Sequence, residues 1–133
     1  MGRWRLIVGC IGTLLALPGV PSCGRVRPDP DTWRARWVSL RELVPDPLAF
    51  EEGDREAACN TLLVRARRAQ PRLLPTSDEA LDAPIRAWLA KAESLGYECP
   101  AARGRAEAHR AALEDLRILR AEIEAGLAAK TGT

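Results

Sequence analysis

The sequence predicts an all-α fold, a small bundle of about four helices stapled by one disulfide. Three observations predict it. Apolar residues recur at three- and four-residue spacings in four successive segments, while alternating β-branched runs are missing. Pro45, Pro47, Gly53, Pro71, Pro75 and Pro100 fall between those segments and punctuate them. Two cysteines, Cys59 and Cys99, lie on or beside the apolar stripes. A chain of 133 residues holds one small domain. Its 20 Lys+Arg against 18 Asp+Glu give no bulk positive charge, so no nucleic-acid partner is expected.

Residues 1–22 read as a signal peptide removed on export. Arg3 and Arg5 form a positive start, Leu6 to Leu17 carries no charge, and Pro18, Gly19 and Pro21 break the run before the small residue Ser22. Even stretched to Val20, the run falls short of the about 20 apolar residues that span a bilayer core. Cys23 follows directly. The stretch Val20-Pro21-Ser22-Cys23 resembles the lipobox of bacterial lipoproteins, with Pro21 departing from the usual small residue. The resemblance covers the targeting segment alone. It implies that Cys23 becomes the first mature residue, carrying a diacylglyceryl thioether and an N-acyl chain. It also implies that the domain is held at the extracytoplasmic, periplasmic face of a bacterial membrane. The alternative reading of the same residues is plain secretion, with Cys23 left as a thiol.

Residues 23–31 then form the lipidated Cys and a short polar tether, followed by a helical domain over 32–129 and frayed residues 130–133. The first helix is expected from Thr32 to Leu43, capped by Asp31 or Thr32 and ended by Pro45 and Pro47. Its stripe is Trp33, Trp37, Leu40 and Val44. A short turn at Leu48-Ala49-Phe50, closed by Gly53, leads to a second helix capped by Asp54 and stopped at Gln70 by Pro71. Cys59, Leu62, Leu63, Ala66 and Ala69 form the inward face of that helix.

Thr76 and Glu79 have the spacing of a capping box. Pro84 sits too deep for a first turn, so a short helix over 77–82 and a fresh start at Asp82 are expected. The third helix carries Ile85, Trp88, Leu89, Ala92 and Leu95, with Gly96 as its C-terminal residue. Cys99 follows, placed to pin the end of this helix to Cys59 on the second. The fourth helix, from Ala101 to Ala129, presents Ala112, Leu116, Leu119, Ile123 and Leu127, flanked by Leu113. Mixed Arg and Glu residues occupy its other faces. That stripe is too short for a coiled coil, so it is expected to pack back onto the other helices.

No residues are expected to be catalytic and no cofactor or metal is expected. The G-x-S-x-G, H-E-x-x-H, P-loop and G-x-G-x-x-G patterns are missing, as are Cys/His ligand spacings. His109, the one His, lies at the edge of an apolar stripe without a recognisable nucleophile partner and reads as a packing position. Glu51, Glu52, Asp54 and Glu56 are read as complementing a helix dipole rather than as cation ligands.

The function expected from these residues is binding. The first reading is an accessory protein of the bacterial envelope, tied to the membrane through Cys23 and engaging a protein partner. The alternative is a carrier of a small apolar ligand, with Trp33, Trp37 and Trp88 lining a pocket between helices.

Overall fold

The computed structural model describes residues 26–45, 50, 54–99 and 106–131. The expected signal peptide and the lipidated Cys23 lie outside the described residues. Among the described residues the chain forms four helices and no strand: α1 (Pro30–Leu40), α2 (Arg55–Leu73), α3 (Glu79–Glu98) and α4 (Ala106–Thr131). The all-α expectation therefore holds, and Cys59 is bonded to Cys99.

Helix α1 starts two residues before the predicted Thr32. Asp29, rather than Asp31 or Thr32, is the cap, accepting from the Thr32 amide at 2.9 Å, and Pro30 takes the first helical position. A proline there has no amide to leave unsatisfied and a φ already suited to the helix. The helix also stops before Leu43. Arg41 closes it with its amide on the Trp37 carbonyl at 2.8 Å, and the chain turns so that Leu43 enters the core at 2% exposure.

Helix α2 begins where predicted, with Asp54 accepting from the Ala57 amide at 3.1 Å, but it runs through Pro71 to Leu73. Tertiary contacts hold the extra turn. Leu73 is fully buried, and its carbonyl, one of those a helix end leaves without an internal partner, accepts from Trp33 Nε1 at 2.9 Å. In α3 the break expected at Asp82 does not occur: one helix runs from Glu79 to Glu98 with Pro84 inside it. The cap is Asp78, accepting from the Ala80 amide at 2.9 Å, not the Thr76–Glu79 box. Continuity buries Leu81 and Ile85 together with Trp88 and Leu89, which outweighs the hydrogen bond that Pro84 cannot make.

Gly96 is not a C-terminal residue either; Cys99 closes the helix, its amide on the Leu95 carbonyl at 3.0 Å. The glycine instead lets α2 and α3 come together, since a Cβ there would lie 2.7 Å from the Leu63 amide nitrogen. Helices α2 and α3 form an antiparallel hairpin, joined by the Cys59–Cys99 cystine and by Arg67 to Glu93 at 3.1 Å. Helix α4 lies antiparallel to α3, with Lys91 on Asp115 at 3.0 Å and Lys130 on Asp78. Lys130 and Thr131, expected to fray, are helical, and residues 132 and 133 lie outside the described residues. Residues 101–105 of the predicted fourth helix, like Leu48, Ala49 and Gly53 of the predicted turn, lie outside the described residues.

The core is built around the tryptophans. Trp33 and Trp37, one helical turn apart, stack at 6.0 Å with planes 7° from parallel, and Trp88 meets Trp37 at 5.0 Å with a 59° tilt. All three are at most 2% exposed. Phe50 and Leu62 are buried with them, as are Leu116 and Ile123 from α4.

Candidate functional site

The turn after α1, the middle of α3 and the first half of α4 enclose a cleft of about 460 Å³. Each segment reaches it for a local reason. Termination of α1 at Arg41 brings Leu43 and Val44 to its wall, and the Arg65 guanidinium holds the turn by donating to the Glu42 and Leu43 carbonyls at 3.3 and 3.4 Å. Trp88 forms part of the floor from α3. Arg110, Leu113, Arg117 and Arg120 recur along one face of α4, and Leu116 lies beside them. The floor is thus Leu43, Val44, Trp88, Leu113 and Leu116.

Charge is confined to the rim, where four arginines (41, 110, 117 and 120) face two glutamates (42 and 114). Arg117 grips Glu114 through two nitrogens at 2.6 and 2.8 Å, which lowers the Glu114 pKa and raises that of Arg117. Burial opposes the charge on Arg120, but its pairs with Glu42 at 2.9 Å and Glu124 at 3.3 Å more than offset this and raise its pKa. Arg41 also meets Glu124, at 3.0 Å. The result is an apolar slot bordered by Arg110 and by the ion pairs of Arg41, Arg117 and Arg120, whose carboxylate partners are themselves partly exposed.

The tryptophans come together as the core rather than as the walls of one pocket. Trp88 lines the cleft, Trp37 lies along a separate groove of about 280 Å³ between α1 and α4, and Trp33 is sealed beneath the end of α2. The indole Nε1 of Trp37 has no hydrogen-bond partner among the described residues.

His109 is 6% exposed, and its Nδ1 likewise has no hydrogen-bond partner among the described residues. Burial, assisted by the positive charge of Arg55, pushes its pKa down, so the ring is held neutral. Asp54 and Glu56 of the acidic group sit at the cap and first turn of α2, while Glu51 and Glu52 lie outside the described residues. Among the described residues no three His, Cys, Asp or Glu side chains cluster as metal ligands. No described helix is long and apolar enough to cross a membrane.

A second polar cluster went unnoticed in the sequence. Arg27 donates to both carboxylate oxygens of Asp82 at 3.0 and 2.8 Å and to the Thr76 carbonyl at 3.1 Å. The fully buried Thr76 donates its amide to Asp82 at 3.0 Å and its hydroxyl at 2.6 Å. These bonds, led by the one from Arg27, hold Asp82 well below the usual carboxylate range. No local pattern signals the cluster, because Arg27 and Asp82 are 55 positions apart.

No protein-family model, no curated protein and no solved structure matches this chain.

Proposed function

We propose that this chain is a binding protein of the bacterial cell envelope, exported through residues 1–22 and held at the membrane by lipid on Cys23. It works without catalysis, through the cleft between the turn after α1, α3 and α4. The cleft is the observation that carries this reading. Its volume of about 460 Å³ falls within the range of small-molecule sites, and it combines an apolar floor with a few charged groups at the edge. A typical protein partner instead covers about 800 Å² of flatter surface on each side. The concave shape therefore favours a small ligand over a protein partner. The charge run, breaker and Cys23 at the N-terminus support the anchoring.

The Arg27 cluster fits a close attachment. With Arg27 clasped to Asp82, only Gly24 to Val26 separate it from Cys23, a reach of about 14 Å when fully extended. The domain would then ride against the bilayer surface rather than swing on a long leash.

Photocrosslinking in the native host tests the site. A Leu113→p-benzoylphenylalanine variant is expected to yield an adduct on irradiation, and the same replacement at Tyr97, which is 70% exposed and outside the cleft lining, none. Absence of any adduct at 113 would overturn the reading that this cleft is the binding site.

A further inference from the structure

The domain carries a surface suited to the membrane that Cys23 would tie it to, and the inference rests on that attachment. We infer that the flank shared by α1 and α2, with Arg36, Arg65, Arg68 and Arg72, lies against anionic phospholipid headgroups.

Arg65, Arg68 and Arg72 stand at i, i+3 and i+7 on α2, so they share one face and span about 10 Å of it. Two contacts show that α1 runs antiparallel beside this helix. Trp33 Nε1 donates to the Leu73 carbonyl, and Arg65 donates to the Glu42 and Leu43 carbonyls. Arg36 falls between those contacts, level with Arg68 and Arg72. It is a little over half a turn beyond Arg34, which borders α4, and so sits on the opposite flank of α1.

These charges lack carboxylate partners. Arg36, Arg68 and Arg72 make no ion pair among the described residues, and Arg65 spends its contacts on the two carbonyls. Arg67, on the α3 side of the same helix, is by contrast paired with Glu93. Of the acids on α1 and its turn, Glu42 pairs with Arg120 on α4 at 2.9 Å. Asp29 caps α1 and Asp31 follows in its first turn; these two, counted in full against the four arginines, still leave the flank positive. Like charges three and four residues apart destabilise a helix slightly, and the helix dipole accounts only for Arg72, in the last turn. A layer of phosphates relieves that repulsion, and planar guanidinium groups match phosphate oxygens in pairs.

The patch begins where the tether ends. Arg27 donates to the carbonyl of Thr76, four residues beyond Arg72, and Cys23 lies four residues before Arg27. Acyl chains seated in the bilayer at Cys23 therefore bring the Arg72 end of this flank to the headgroups. The tether delivers the flank to lipid and not to a soluble acidic partner, which favours the membrane. Each guanidinium at an anionic surface is expected to strengthen association by about fivefold.

Modification of arginines by phenylglyoxal, read residue by residue by mass spectrometry, tests this on the full protein extracted from native membranes. The protein is reconstituted in nanodiscs of phosphatidylcholine alone, or of phosphatidylcholine and phosphatidylglycerol in equal parts. Arg36, Arg68 and Arg72 are expected to react about fivefold more slowly beside phosphatidylglycerol, and to regain their rate in high salt. Arg117, exposed on α4, is expected to react alike in both. Equal rates at the three arginines in the two lipids overturn the inference. Protection in native membranes alone also overturns it, by assigning the flank to an acidic protein. The intact mass of the same preparation reads the attachment separately: a lipidated protein without protection leaves the anchor standing and removes the flank. Where the mass shows no lipid, flotation with vesicles of the same mixed lipids decides. An Arg36→Gln/Arg68→Gln/Arg72→Gln variant is then expected to float on the order of tenfold less than the parent chain. Equal flotation, or none by either chain, overturns the inference.

Discussion

Arg27 and Asp82 meet through two parallel N–H···O bonds, 3.0 and 2.8 Å long, that close the N-terminal approach to α1 against the first turn of α3. This clasp fixes the chain immediately ahead of α1 to the start of α3. Asp82→Asn keeps the shape and removes the charge. It is expected to destabilise the fold by about 1–2 kcal/mol, the lower part of the range for a charged hydrogen bond because the Arg27 side chain is 37% exposed. Asp82 is held below its ordinary value of 3.8, so its contribution is complete above that pH and is lost as pH falls through the folded value. Chemical denaturation of the two proteins should therefore show a gap at pH 7 that narrows below about pH 4.

The Gly96–Leu63 contact predicts a substitution that defies helix propensity. Ala is the better helix former by about 1 kcal/mol. Its Cβ would nevertheless lie 2.7 Å from the amide nitrogen and 2.9 Å from the Cα of Leu63, backbone atoms that cannot swing aside. Gly96→Ala is expected to lower stability by a net of about 1–3 kcal/mol, read from thermal unfolding. An unchanged or raised midpoint would show that α2 and α3 are not so close.

The cystine closes a loop with its ends 40 positions apart. In the chain-entropy model that constraint is worth about 4 kcal/mol, a large share of what a small domain has. Paired Cys59→Ala and Cys99→Ala changes, or reduction of the native protein, are expected to lower the unfolding midpoint accordingly. A redox-insensitive midpoint would remove the disulfide from the account of stability.

His109 gives the fold a second pH dependence. Burial depresses its pKa from 6.5, so below that pH the unfolded chain binds a proton that the folded one refuses. Stability from this group is complete above about pH 6.5 and declines as pH falls toward the folded value, at no more than about 1.4 kcal/mol per pH unit. His109→Leu is expected to flatten the stability curve between about pH 7 and pH 5. An unchanged slope would place the proton elsewhere.

Much of the fold was legible because periodicity reports burial directly. The stripe Ile85, Trp88, Leu89, Ala92 and Leu95 is buried in full, and Cys59 on the inward face of α2 faces Cys99 as expected. The errors came where a local rule met a tertiary contact. Pro71 did not end α2 because Trp33 satisfies the Leu73 carbonyl, and Pro84 did not split α3 because Leu81 and Ile85 are buried on either side of it. Gly96 looked like a terminus because nothing in the sequence shows how near Leu63 lies. The cleft was not legible for the same reason: Leu43, Trp88 and Arg117 belong to three separate segments. On α4 alone, its arginines read as a solvated face.

Intact-mass spectrometry of the protein extracted from native membranes without reductant tests the central claim, a binding domain fixed to the membrane at Cys23. The predicted mass is that of residues 23–133 plus a diacylglyceryl and an acyl group, less two protons for the Cys59–Cys99 bond. The mass of the uncleaved 133-residue chain, or of residues 23–133 without lipid, would contradict it.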